Sequence, residues 1–169
     1  MDRVSLERGE PSQRGTLANI VQLYIHDFND FLPPERKISV GDDGRFADVL
    51  QLDRYWAEAD RLVWFIRAGG ALAGFALLNR HSHCERPVDF NMGEFFIARP
   101  YRRDGIGARA AIDLIEMHKG QWEIAVGERN LPAKAFWPRV VAAANASDVE
   151  TLAGDGVKWT GPIMRFVVR

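Results

Sequence analysis

The stretch from Gly93 to Ala111 limits the folds open to this chain more than any other, because an apolar run, a basic connector and a glycine-opened helical pattern follow one another without a break. Phe95 to Ala98 reads as a buried strand, Arg99 to Asp104 as a charged connector with one proline, and helical periodicity starts at Gly105. The predicted helix, Gly105 to Lys119, presents Gly107, Ala110, Ala111, Leu114, Ile115 and His118 along one side and stops at Gly120. Trp122 to Val126 is the next strand, and a strand–helix–strand crossover makes it parallel to the first.

A helix start of this kind is an anion site in waiting. Its first N–H groups lack intrahelical partners, and the summed peptide dipoles place roughly half a positive charge there. Gly105 and Gly107 have no Cβ to keep an anion away from the main chain, and Arg102 and Arg103 bring mobile positive charge. The guest such a loop suits is a pyrophosphate.

These residues resemble a known family. Arg102-x-x-Gly105-x-Gly107 is similar to the Gln/Arg-x-x-Gly-x-Gly/Ala signature of the GNAT superfamily of acyl-CoA N-acyltransferases, and the strand and connector before it look like that family's. A second stretch, Asn130-x-x-Ala133-x-x-Phe136-Trp137, resembles the family's downstream motif. The resemblance implies acetyl-CoA as co-substrate. Its pyrophosphate would sit on Arg102, Arg103, Asp104, Gly105, Ile106 and Gly107, its pantetheine arm would pair with the main chain of Phe96 and Ile97, and Asn130 would line the pantetheine side. Asn130 is equally placed to cap a helix whose first turn tolerates Pro132.

The chemistry implied is acetyl transfer to a primary amine by direct attack in a ternary complex. Such an amine, with a pKa of about 8 to 10.4, is mostly protonated at neutral pH, so a base must take a proton. Glu94, just before the acyl-binding segment, is the candidate and Asp89 the reserve. Strand alternation puts Asp89, Asn91, Gly93 and Phe95 on one face and Glu94 on the other unless a bulge intervenes. A backbone N–H near Phe96 or Ile97 would serve a developing oxyanion. The family often supplies a tyrosine to protonate the departing thiolate, but that place holds Trp137, whose indole offers no usable acid; water, Tyr101 or Tyr55 could substitute. An acyl-CoA-binding module without activity is therefore the alternative.

The rest of the chain is consistent with one domain over residues 1–169. Residues 2–7 alternate weakly as a first edge strand, and Leu17, Ile20, Val21, Tyr24, Ile25 and Phe28 mark one face of a helix over 11–30. Asp42-Asp43-Gly44 is a plain turn, and a short helix or two half-turns fits Phe46 to Ala59. Leu62–Ile66 and Leu72–Leu78 around Gly69-Gly70 make an antiparallel hairpin. Asn79 to Pro87 reads as a solvated connector, Pro138 as a kink or restart in the helix after Asn130, and Asp148–Leu152 and Pro162–Val168 as closing strands. The fold class is α/β (α+β). With the resemblance it implies a mixed, mostly antiparallel central sheet of about six to seven strands, a parallel splayed pair in its middle, and about four flanking helices.

Composition excludes several function classes. A net charge of −1 argues against nucleic acid as partner, and the basic residues Arg99, Arg102, Arg103 and Arg109 gather instead beside the glycines. No apolar run approaches the ~18 residues that span a bilayer, and a lone cysteine, Cys84, with no apolar leader points to the cytoplasm. His81, His83 and Cys84 crowd into one loop without a second ligand pair at zinc spacing, so no metal is expected. Gly105-x-Gly107-x-x-Ala110 also satisfies a dinucleotide fingerprint, but the intervening arginines and the preceding hairpin disfavour NAD. A homodimer is compatible with the family, although no residue marks an interface, and nothing in the chain selects the acceptor amine.

Overall fold

The computed structural model describes residues 3–169. In chain order it contains β1 (Val4–Arg8), α1 (Arg14–Phe28), α2 (Leu52–Ala57), β2 (Leu62–Ala68), β3 (Ala71–Asn79), β4 (Phe90–Ile97), α3 (Ile106–Met117), β5 (Gly120–Ala125), α4 (Leu131–Ala143), β6 (Ser147–Ala153) and β7 (Pro162–Val168). The strands form one 7-stranded sheet in the order β1-β2-β3-β4-β5-β7-β6, in which only β4 and β5 run parallel. The expected mixed sheet with a parallel pair at its centre is therefore present. Residue 2, where the first strand was expected to begin, lies outside the described residues.

Side-chain period sorts the helices onto two faces. Val63, Phe65, Phe75, Leu77 and Phe96 point to one side of the sheet and bury Leu17, Ile20, Val21 and Ile25 of α1 with Leu52 and Tyr55 of α2. Ala76, Leu78, Met92, Trp122, Ile124 and Phe166 point to the other and pack Ala111, Leu114 and Ile115 of α3 with Val140 and Val141 of α4. The β2–β3 turn has positive φ at both Gly69 and Gly70, the two-residue geometry that matches strand twist. No helix of the described residues is long and apolar enough to cross a membrane.

Two expectations are corrected. α4 is one helix through Pro138 and does not restart there. A proline forfeits one helix hydrogen bond, and the buried Trp137, Val140 and Val141 on either side anchor the helix to the sheet across that defect. The β3–β4 connector is not a solvated loop either. Its Ser82, His83 and Cys84 bend inward onto Glu123 of β5, whose side chain is fully buried. α1 and α2 cover this face over β2–β4 only, so beyond them the connector is the cover.

Candidate active site

β4 and β5 pair only at Phe90–Trp122 and Asn91–Glu123. Beyond these, β4 stays with β3 as far as Ile97 and β5 stays with β7 as far as Ala125, so the sheet opens as a wedge. The wedge is the floor of a cleft of about 1120 Å³ that reaches from α1 and α2 to the first turns of α3 and α4.

An opened pair leaves peptide groups facing the gap, and strand alternation says which. Ala98 N–H donates to the Ala73 carbonyl at 2.8 Å, so the peptide groups of Phe96, two residues back, also turn toward β3, while those of Phe95 and Ile97 turn into the gap. Of the two residues expected to offer main chain there, Ile97 does and Phe96 does not; Phe95 takes its place. Arg102 Nε donates to the Ile97 carbonyl at 2.6 Å, so it is the Ile97 N–H, turned to the gap by the same alternation, that has no partner among the described residues.

At the mouth of the gap, Arg103 and Gly105 both adopt positive φ, 78° and 77°, and the chain enters α3 from this left-handed turn. No side chain caps the helix, and the N–H groups of Ile106, Gly107 and Ala108 have no acceptor among the described residues. The first helix-internal bond here is Arg109 N–H to the Gly105 carbonyl at 2.9 Å. Three aligned, unpartnered amides at a dipole's positive end fit a pyrophosphate well. Gly107 serves packing as well: a Cβ there would come within 3.2 Å of Ile97 Cγ1. The arginines divide. Arg99 and Arg102 bind Asp27 of α1, at 2.9 and 2.5 Å, and Arg109 binds Asp113, whereas Arg103 has no acidic partner among the described residues and lines the cleft. Asp104 is exposed on the same turn.

Glu94 enters the cleft because of a bulge. Leu77 pairs with Glu94 but Leu78 pairs with Met92, so Gly93 is the extra residue and the alternation of β4 resets there. Only glycine fits the bulge, since a Cβ would meet Asn79 Nδ2 at 2.6 Å and the Tyr55 hydroxyl at 3.2 Å. Enclosure by protein pushes the Glu94 carboxyl up to about 7, and the hydrogen bond it accepts from the Tyr24 hydroxyl pulls in the opposite direction. Burial, then the Glu94 charge, drives the Tyr24 pKa well above the ordinary phenol value, so Tyr24 stays a donor. Tyr24→Phe removes the donor that favours the ionised carboxylate. Its expected effect is to move the Glu94 titration upward by about one unit, measurable as a shift of the acid limb in a pH–rate profile.

Asp89, the reserve base, lies away from this cleft. It precedes β4 at the paired end of the wedge, and its carboxylate accepts from the Gln121 N–H at 2.8 Å. Asn130 caps α4 by accepting from Ala133 N–H at 3.1 Å and also lines the cleft. Trp137 is buried and set edge-on to Phe95, with ring centroids 5.3 Å apart, so it forms a wall. Tyr101 packs with the cluster under the start of α3, whereas Tyr55 lines the cleft.

Two polar groupings had no sequence signal beyond isolated residue types. In the first, Asn79 accepts at Oδ1 from His81 N–H and from Asn91 Nδ2, and its own Nδ2 donates to the Tyr55 hydroxyl, all at 2.9 Å. In the second, Glu123 receives Ser82 Oγ, His83 N–H and Arg165 Nη1 at 2.9, 2.6 and 2.6 Å, with His83 Nδ1 at 3.0 Å. Burial alone would raise the Glu123 pKa, but bonds from His83, Ser82 and Cys84 prevail and hold it at about 2. Glu123 is the last residue of β5 paired to β4, so this cluster sits where the wedge begins.

The sequence profile of the acetyltransferase (GNAT) family matches residues 19–141. Among solved structures, the chain is similar to a GNAT-family acetyltransferase from Staphylococcus aureus Mu50, with 15% identity, TM-score 0.63, and 99% of this chain and 100% of that one covered. It is similar to the PaiA N-acetyltransferase from Thermoplasma acidophilum in complex with coenzyme A, at 12% identity and TM-score 0.63 over 98% and 99% of the two chains. An acetyltransferase from Bacillus subtilis in complex with CoA aligns at 15% identity and TM-score 0.56, covering 98% of each chain. No curated protein matches the sequence.

Proposed function

Given that this chain belongs to the acetyltransferase (GNAT) family, we propose that it is an acetyl-CoA-dependent N-acetyltransferase acting on a primary amine, with Glu94 as general base. The observation that carries the reading is that one cleft holds both halves of the chemistry. The unpartnered amides of Ile106, Gly107 and Ala108 and the gap-facing main chain of Phe95 and Ile97 lie at one end, and a half-buried carboxyl with a pKa of about 7 lies at the bulge of the same strand. Bound there, acetyl-CoA supplies an acyl group activated as a thioester.

The protein's residues do the rest. The first turn of α3 and Arg103 hold the pyrophosphate, and Asn130, Phe95 and Ile97 align the arm. The gap-facing N–H groups of Phe95 and Ile97 are the main-chain donors for negative charge on the acyl oxygen. Glu94, ionised above pH 7, accepts a proton from the ammonium or from the attacking amine, directly or through one water. Tyr24 O–H holds the carboxylate in place and favours its charged form.

Isothermal calorimetry with coenzyme A, followed by thiol release from acetyl-CoA over a panel of amines, tests the reading. Arg103→Ala is expected to weaken coenzyme A binding by about ten-fold and to flatten its salt dependence, as loss of a phosphate contact should. Stabilisation by NAD but not by coenzyme A would overturn the assignment. Trp137 in the place of the family's tyrosine favours one second reading, an acyl-CoA-binding module; binding without turnover for any amine would select it.

A further inference from the structure

We propose that the acceptor amine carries an oxyanion, a carboxylate or a phosphate, bound by Arg61 and Tyr55 on the α2 side of Glu94; this rests on the transferase reading and names its substrate class. The Tyr55 hydroxyl is committed as a donor. It accepts from Asn79 Nδ2, whose orientation is set because Asn79 Oδ1 already accepts from the His81 N–H, and its own proton has no acceptor among the described residues. Arg61 stands over the Tyr55 ring with its guanidinium carbon 5.0 Å from the centroid. Its Nε is held by Glu58 at 2.6 Å, and the guanidinium also lies within reach of the Tyr55 oxygen, which draws the two groups to one spot on the cleft wall. Its side chain is only 15% exposed and lines the cleft.

The charge on this wall is positive. Glu58 is shared by Arg54 and Arg61, which leaves one positive charge in excess, and those two arginines hold the Glu58 carboxyl at about 2. His81, also on this wall, adds ring nitrogens. The acids that face the cleft are Glu94, Asp27, which is engaged by Arg99 and Arg102, and Asp30 on the α1 side. A substrate with its amine at Glu94 and an oxyanion at Arg61 would satisfy both ends. A plain amine would leave the phenol proton without an acceptor and the excess positive charge of the wall unmatched in a half-enclosed site, and a polyamine would bring a second cation against Arg61.

The test uses product-like probes, so it does not depend on turnover. N-acetyl-amino acids, the corresponding N-acetyl-amino acid amides, N-acetyl-aminoalkyl phosphates and mono-acetylated diamines are titrated calorimetrically into the protein, with and without saturating coenzyme A. The acids or the phosphates are expected to bind about ten-fold or more tightly than the amides, and the stronger of the two identifies the oxyanion. Arg61→Gln should erase the preference, Arg61→Lys should retain part of it, and Tyr55→Phe should reduce it several-fold, all with coenzyme A affinity unchanged. Equal binding of acids and amides, tighter binding of the diamines, no binding of any oxyanionic probe, or a preference that survives Arg61→Gln would each overturn the proposal. Failure of coenzyme A itself to bind would overturn the transferase reading instead, and the coenzyme-free titrations would still decide the oxyanion site.

Discussion

Glu94→Gln is expected to lower kcat/KM for amine acetylation by about 10²–10⁴-fold and, at the same time, to make the protein more stable above neutral pH. The first effect follows from removing the carboxyl at the bulge, which leaves the ammonium form of the acceptor without a proton acceptor beside the acyl segment. The second follows from linkage. The folded-state pKa of Glu94, about 7, lies above its unfolded value near 4.5, so the native protein is favoured below about pH 4.5 and loses stability as pH rises through 7. The loss reaches roughly 3 kcal/mol once the group is ionised in both states. Glutamine keeps an oxygen for Tyr24 to donate to and has no charge to bury. Thermal unfolding of the two proteins should therefore coincide near pH 4 and separate by several degrees at pH 8, with the inactive variant the more stable. A variant that keeps its rate and melts with the parent at pH 8 would remove Glu94 from the mechanism and the raised pKa alike.

Glu123→Ala has the largest expected effect on folding, a loss of about 3–5 kcal/mol in denaturant unfolding. β5 and β7 pair Glu123 directly opposite Arg165, both buried, and the substitution leaves the guanidinium with the Pro87 carbonyl at 2.7 Å and only the more distant, half-exposed Glu150 carboxylate at 3.8 Å. It also frees Ser82 and His83, so the β3–β4 connector loses its bonds to β5. The pH dependence runs opposite to that of Glu94. Here the folded pKa, about 2, lies below the unfolded one, so the contribution is present above about pH 4.5 and disappears as pH falls toward 2. The gap between parent and variant should accordingly shrink in acid. Glu123→Leu combined with Arg165→Met should recover most of the stability, because an apolar pair of similar volume leaves no unpaired charge. If the single substitution costs no more than a surface change, the cluster is not what closes this end of the wedge.

Much of the site was legible because its parts are local. An apolar strand, a proline-bearing connector and a glycine turn into a helix occupy consecutive residues, and the crossover rule then makes β4 and β5 parallel. Gly105, with Ile106 and Gly107 behind it, needed no tertiary information to be marked as an anion cradle, since the free amides belong to the backbone of any helix start. The bulge could be named only as a condition for Glu94. What restricts the bulge to glycine is the crowding of Asn79 and Tyr55 against Gly93, residues brought together across the sheet. Tyr24 looked like one more apolar position on a helix face, and only packing turned its hydroxyl to Glu94. The connector misled because Ser, His, Cys, Glu and Arg are the composition of a solvated loop; the signal against that reading was the charged Glu123 in the middle of an otherwise apolar strand.

By itself the sequence determined the order of strands and helices, the parallel pair and the glycine turn that opens α3, because each depends on period, glycine placement and chain direction over short stretches. The tertiary structure alone decided which peptide groups face the gap, that Glu94 enters it beside Tyr24, and that Glu123 and Arg165 meet under the connector. Those outcomes depend on the register between strands and on burial, and both arise only when residues far apart in the chain exclude water from one another.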